Sequence, residues 1–339
     1  MLKKYVIGIE VDSKTAGGKA AKDVMQIAEE MGYVPVKYKV KGRRIRQSIS
    51  KIQFFSYLKR IQEGGVVLLQ YPLAGQVEAP VADFFCRHPK YKLLLLIHDL
   101  DILRSDKSSK DVSNMEIRLL KRADAIICHN QEMNRMLRTY GVDEGKCINL
   151  KLFDYLYDFM PERAKKVDKK VIVAGNLSRN KSKYVYMLNE IDRVDFDLYG
   201  INYDGTTYPN IHYFGAYGPE ELPQKFNGGF GLVWDGDQLT TCSGNFGEYL
   251  RYNNPHKLSL YLAAGLPVIV WKESAVYSFV KEKKVGIGVD SLLEVPVILE
   301  KMTAPEIEEM MNRVSALSRE LSIGTYTKLA LNHAERIVI

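Results

Sequence analysis

Tryptophan occurs only twice and cysteine only four times in 339 residues. Cys86, Cys128, Cys147 and Cys242 lie in separate segments with no CxxC pair, which speaks against a disulfide framework and a cysteine zinc site and points to a reducing compartment. The 25 glycines and 12 prolines follow no repeat, and no low-complexity segment interrupts the chain, so fibrous and disordered classes are excluded. Charge of one sign is scarce too. Forty-eight basic against 41 acidic residues leave +7, a mild preference for anions that selects no partner. No apolar run approaches the roughly 18 to 20 residues of a membrane-spanning helix, so any membrane contact is expected to be peripheral. The opening MLKKYVIGIEV, interrupted by Glu10, is expected to be a first buried strand and not a secretory leader.

What is present is 46% apolar residues, enough at this length to predict two domains. Short apolar runs rich in β-branched residues alternate with longer segments of helical spacing, the pattern of an α/β protein with parallel sheets and crossover helices. In the first half the strand candidates are 5–9, 66–70, 93–97, 125–128 and 147–150, and their unbroken hydrophobicity predicts burial on both faces. A first crossover helix is expected over 18–31, with Ala20, Ala21, Val24, Ile27 and Ala28 in one stripe. The pattern lapses in the charged passage 153–170, the expected interdomain linker. A second series follows at 171–174, 196–199, 211–214, 230–234, 268–271 and 286–289. The expected domains are therefore 1–155 and 170–315. A helical segment 316–339, broken near Ile323 and Gly324, is expected to pack back on the first.

Open α/β sheets bind ligands beyond the carboxyl ends of their strands, so the loops after strand candidates are the first places to look for chemistry. Asp12 to Lys19, with Gly17 and Gly18, feeds a helix N-terminus where backbone amides could meet a phosphate. The spacing is not that of a Walker loop, and a plain βα turn is the alternative. His98-Asp99-Leu100-Asp101, followed by Arg104, could furnish a general base or equally a helix cap. Arg179 and Lys181 follow the strand at 171–174, where a guanidinium could reach a diphosphate bidentately or cap the surface.

The densest segment runs from Gly228 to Lys257. Asn254 reads as a helix cap with Pro255 at the first helical position, which puts Lys257 in the first turn, against the helix dipole. A cation tolerated there suggests an anion nearby. Asp235 and Asp237 flank one glycine and resemble the DxD pattern of some metal-using sugar transferases, a reading set aside because cations already stand ready for phosphate. His98 and His256 have no paired ligand spacing, and no metal is predicted. Between 41 and 60, basic residues alternate with Ile, Phe, Tyr and Leu, which reads as a solvated helix face or as a contact with an anionic membrane, a protein or a nucleic acid.

Taken together, these residues resemble a known family. Lys257-Leu-Ser-Leu-Tyr-Leu-Ala-Ala-Gly265-Leu-Pro267-Val-Ile is similar to a passage in the donor half of glycosyltransferases with two Rossmann-like domains. Leu96-Ile-His-Asp-Leu-Asp, Phe153-Asp-Tyr, Ala174-Gly-Asn-Leu-Ser-Arg179, Phe230-Gly-Leu-Val-Trp-Asp-Gly-Asp, Thr241-Cys-Ser-Gly and Asn253-Asn-Pro-His-Lys look like β-1,6-galactofuranosyltransferases of bacterial O-antigen assembly. They also resemble streptococcal glucosyltransferases that extend GlcNAc on serine-rich adhesins. The likeness spans nearly the whole chain and is strongest over 171–271.

The resemblance implies a GT-B fold, two Rossmann-like domains facing a central cleft, with a UDP-sugar donor on the second and a glycan or glycopeptide acceptor on the first. It implies an inverting, metal-independent cytoplasmic hexosyltransferase needing no cofactor and binding no nucleic acid, working at the inner face of the membrane if the basic stretch makes that contact. Arg179 and Lys257 match positions that neutralise the diphosphate, Gly17 and Gly18 those that approach the donor phosphates, and Asn254 and Tyr217 are further nucleotide candidates. Asp99 is the expected base, with His98 and Asp101 in reserve. A non-catalytic nucleotide-sugar-binding partner subunit is the competing reading, and amphipathic helices leave a homo-oligomer open.

Overall fold

Val66–Tyr71 and Lys92–Ile97 have apolar side chains on both faces, and in the computed structural model both are buried along almost their whole length. Strands of this kind are stable only inside a layered α/β unit, and the chain forms two of them. The structure describes residues 2–10, 16–39, 55–56, 58–59, 61–73, 78–104, 110–157, 168–206 and 208–339. The first unit comprises Met1–Ser13, Gly17–Leu152 and Gly324–Ile339, and the second Lys14–Ala16 and Phe153–Ile323.

In the first unit six parallel strands, β1 (Lys4–Glu10), β2 (Val34–Lys39), β3 (Val66–Tyr71), β4 (Lys92–Ile97), β5 (Ala125–Cys128) and β6 (Cys147–Asn149), are ordered β2-β1-β3-β4-β5-β6. Strand β2 was not expected: Pro35 interrupts its apolar pattern, which an edge strand tolerates. In the second unit β7 (Val171–Asn176), β8 (Phe196–Ile201), β9 (Ile211–Tyr213), β10 (Phe230–Val233), β11 (Val268–Trp271) and β12 (Gly286–Val289) are ordered β12-β11-β10-β7-β8-β9. Counted from β7, that is the 3-2-1-4-5-6 order of dinucleotide-binding folds. Chain order reverses between β1 and β3 in the first sheet and between β7 and β10 in the second, the kind of switch point at which open α/β sheets generally bind ligands.

Helices cover both faces of each sheet. Ala16–Glu30 supplies Val24, Ile27 and Ala28 to the interior of the first unit. The terminal helix Thr325–Val338 belongs to that unit as well, through Lys4–Glu335 at 3.0 Å, Tyr33 Oη donating to Glu335 at 2.8 Å and Lys328–Glu30 at 2.9 Å. The preceding helix, Ala304–Ser322, stays with the second unit, so the returning segment begins at Gly324 and not at 316. Gly324 makes the break: its φ of 76° is left-handed, and a Cβ there would come within 2.7 Å of Ile27. The other boundary falls between Leu152 and Phe153, ahead of the expected 155, because Phe153 and Tyr155 are buried and Ser259 Oγ donates to the Phe153 carbonyl at 2.7 Å. The charged linker lies largely outside the described residues, as does most of the basic stretch 41–60, of which Leu58 is buried in the first core.

Candidate active site

At the switch point of the second unit, β7 leads into Arg179–Ser182 and β10 into a tight loop starting at Trp234. Trp234 is fully buried, meets Trp271 edge to face and donates from Nε1 to the Gln238 carbonyl at 3.0 Å, which closes the loop on itself. Gly236 is required by that closure: its φ is 109°, and a Cβ would stand 2.2 Å from the Ser243 carbonyl oxygen. Its N–H donates to Lys181 O at 3.2 Å, and its carbonyl accepts from Tyr184 N at 3.2 Å. The β7 and β10 loops are therefore tied together through backbone.

Lys257 enters this corner from the helix His256–Ala263. Its Nζ donates to Asp235 Oδ1 at 2.9 Å and to the Trp234 carbonyl at 2.9 Å, with both charged side chains largely buried. Burial lowers the pKa of Lys257 below the ordinary lysine range; Asp235 opposes this, and the nearby Lys181 ammonium adds to it. The anion that the sequence led us to expect beside Lys257 is thus, in the first instance, the protein's own Asp235. Lys181 has no carboxylate within ion-pair distance among the described residues and stands 5.5 Å above the Phe246 ring. Lys257 is neutralised by Asp235 while the nearby Lys181 ammonium has no such partner among the described residues, an arrangement with positive charge to spare for a phosphate.

The other expected donor-site residues spread along the same sheet edge. Arg179 stacks on Tyr186, 3.8 Å from the ring centroid, and pairs with Asp204 at 3.2 Å, both partly open to water. Asn254 is buried, and Pro255 takes the N-cap position, so the helix starts at His256, one residue later than expected. Tyr217 stands beyond the edge strand β9, with Tyr199 at 6.4 Å and the Lys225 ammonium 5.1 Å over its ring, two strands from the switch point. Ser243 Oγ and Asn253 Oδ1 in the loops flanking this corner are buried without a hydrogen-bond partner. Asp237 approaches Gly244 and not Asp235, so the two aspartates of the DxD-like run point to different partners.

In the first unit, His98 follows β4, with its N–H donating to the Tyr71 carbonyl at 2.7 Å and its Nε2 2.8 Å from Gln70 Oε1. Burial lowers its pKa to about 4, and that of neighbouring His129, whose Nε2 lies 3.0 Å from the Ile97 carbonyl, to about 3. Both imidazoles are neutral in the folded chain and would protonate near the ordinary 6.5 once unfolded. The unfolded state then binds more protons between those values, so stability is complete above about pH 6.5 and is lost as pH falls toward 4. Melting temperatures across that range should drop on acidification, and less so for His129→Asn; an identical profile in that variant would contradict the assignment.

Asp99 Oδ2 accepts from Arg104 at 3.1 Å, and Asp101 opens the single turn Asp101–Arg104 at the surface. Gly17 and Gly18 fall inside the helix Ala16–Glu30, not in a loop ahead of it; residues 11–15 lie outside the described residues. Sequence reasoning mentioned Lys181 only in passing, raised Asp235 as a metal candidate and set it aside without giving it another role, and missed Glu116 and Gln70. Glu116 was detectable as an acid on the apolar side of a helix, three and four residues before Leu119 and Leu120.

The comparisons with known proteins agree with this architecture. Residues 3–152 match the family model of the Glucosyltransferase 3-like N-terminal domain, and 171–334 that of the Glucosyltransferase 3-like C-terminal domain. The chain is 34% identical to Beta-1,6-galactofuranosyltransferase WbbI of Escherichia coli over 95% of each chain. It is 29% identical to Glucosyltransferase 3 of Streptococcus gordonii over 71% of this chain and 70% of that one. Among solved structures, Anabaena HepE in complex with UDP and glucose superposes with a TM-score of 0.62 at 12% identity, over 98% of this chain and 99% of that one, a likeness of fold. With two Rossmann-like units in tandem and both family models matched in order, the chain belongs to the Glucosyltransferase 3-like family and is a glycosyltransferase of the GT-B fold.

Proposed function

We propose that this chain transfers a hexose from a UDP-sugar to a hydroxyl of a glycan or glycopeptide acceptor, with inversion and without a metal ion, in the cytoplasm. The observation that carries the reading is the second cation, Lys181, beside the buried Lys257–Asp235 pair at the β7–β10 switch point. A diphosphate seated there would receive charge-assisted hydrogen bonds from both ammonium groups and, once it leaves Asp204, from Arg179. As the bond from the anomeric carbon to the leaving UDP breaks, these cations neutralise the developing charge. Asp99 takes the proton of the attacking hydroxyl, with His98 and Asp101 as its alternates. Asn254 and Tyr217 are proposed nucleotide contacts. Galactofuranose is favoured over glucose as the transferred sugar by the relative with higher identity.

A donor screen by saturation-transfer NMR with UDP-galactofuranose, UDP-galactose, UDP-glucose and UDP-GlcNAc tests the substrate class; the absence of any UDP-dependent signal would defeat it. UDP release that appears only with acceptor would distinguish an enzyme from a binding subunit. Arg179→Ala is expected to weaken UDP binding in calorimetry by about tenfold, the value of one charge-assisted hydrogen bond. Turnover should survive EDTA, and loss restored by manganese would instead establish a metal requirement.

A further inference from the structure

The segment that carries the proposed base is held from outside itself by one buried carboxylate. Glu116 lies on the helix Lys110–Arg122, 1% exposed, among the side chains that face the first core. Its Oε1 accepts from Tyr71 Oη at 2.8 Å and from the backbone N–H of Asp101 at 3.0 Å, and its Oε2 accepts from the N–H of Ile102 at 2.8 Å. Tyr71 is itself buried, and its carbonyl accepts the His98 N–H at 2.7 Å. Residues 98 to 102 are therefore pinned at both ends, at His98 by the Tyr71 carbonyl and at Asp101 and Ile102 by Glu116. Glu116 also holds the hydroxyl of the same tyrosine. Asp99 sits between the two anchors.

Chemistry explains why the anchor is an acid. Three donors converge on two oxygens, and only a carboxylate offers acceptor sites on both; an amide offers one acceptor oxygen and would turn an N–H toward another N–H. Burial pushes the Glu116 pKa up, while the three donated hydrogen bonds pull the other way. A buried acid is an expensive way to close a surface turn of four residues, when an Asn or Ser within the turn itself would cap it from the solvent side.

We propose that Glu116 is a positioning residue for transfer: through Asp101, Ile102 and Tyr71 it fixes where Asp99 and His98 present their side chains, without touching either substrate. The inference rests on the reading of Asp99 as base. Because it acts on geometry in the first unit, it predicts a loss confined to turnover. Glu116→Gln should lower kcat by about 10- to 100-fold, the cost of a catalytic group displaced by about an ångström. UDP affinity in calorimetry and KM for the donor should stay within about twofold of wild type. Tyr71→Phe, which removes one of the three donors and leaves the Tyr71 carbonyl in place, should lower kcat by a smaller factor in the same direction.

The experiment measures kcat, donor KM, UDP affinity and melting temperature for Glu116→Gln, Tyr71→Phe and Asp99→Asn side by side. A folded Glu116→Gln with kcat within about twofold of wild type overturns the proposal, as does a loss no larger than its unfolded fraction. If Glu116→Gln fails to fold, Tyr71→Phe decides: reduced kcat at unchanged KM supports the proposal, and wild-type kcat overturns it. Full activity in Asp99→Asn would instead remove Asp99 as base. A kcat loss in Glu116→Gln beside it would assign the positioned group to His98 or Asp101, so the two failures are read from different variants.

Discussion

Lys257→Ala is expected to lose UDP binding by well over tenfold and, separately, to melt at a much lower temperature. The first effect removes an ammonium from the diphosphate site. The second arises because Asp235 is left in the interior with its charge uncompensated, and breaking one side of a buried pair costs about 3–5 kcal/mol. The two effects separate cleanly in a double variant. Lys257→Met with Asp235→Asn keeps the volume, removes both charges and is expected to recover most of the melting temperature, yet it should not recover UDP affinity. Calorimetry and thermal denaturation on the two variants check this. Wild-type affinity in Lys257→Ala would take the lysine out of the donor site, and the reading of the β7–β10 corner would then rest on Lys181 and Arg179.

The second large effect is on chemistry alone. Asp99→Asn should reduce kcat by about 10²- to 10⁴-fold, the usual contribution of a positioned general base, with UDP affinity unchanged. Stability should hardly move, because the lost partner is Arg104 at a half-exposed site, where such a pair is worth at most about 1 kcal/mol. Steady-state kinetics with acceptor in excess and calorimetry on the same preparation give both numbers. Turnover within about threefold of wild type would transfer the role to His98, whose ring is already neutral and fixed against Gln70, or to Asp101.

Most of the fold was legible because burial on both faces leaves an unmistakable mark. Eleven strand positions could be assigned from apolar runs such as 93–97 and 268–271, and each is a strand here. Strand β2 escaped because an edge strand needs only one good neighbour and tolerates Pro35, so its sequence carries half the usual signal. For the candidate site, the sequence supplied residue types and their places in the chain. Polar residues crowding the loops after β4, β7 and β10 named Asp99, Arg179 and Lys257 without a structure.

Which of those residues meet was decided elsewhere. Two aspartates on either side of a glycine resemble a metal motif that the sequence reading already set aside, but only the loop closing through Gly236 shows that Asp235 goes to Lys257. Arg179 and Lys257 together read as the phosphate ligands, but Lys181 is the cation left beside Lys257, while Arg179 turns to Tyr186 and Asp204. Glu116 reaches Asp101 and Tyr71 across 15 and 45 residues of chain.

Hydrophobic periodicity is a local property that every residue reports through its neighbours in sequence, and so the α/β class, the tandem arrangement and every strand position but β2 needed no coordinates. Pairing of charges is different. It depends on distances of a few ångströms between segments tens of residues apart, set by how loops close over the strand ends, and a buried ion is stable only with the partner that this closure brings to it. The chain's composition therefore supplied the cations and carboxylates, and the tertiary structure chose which carboxylate each cation would face.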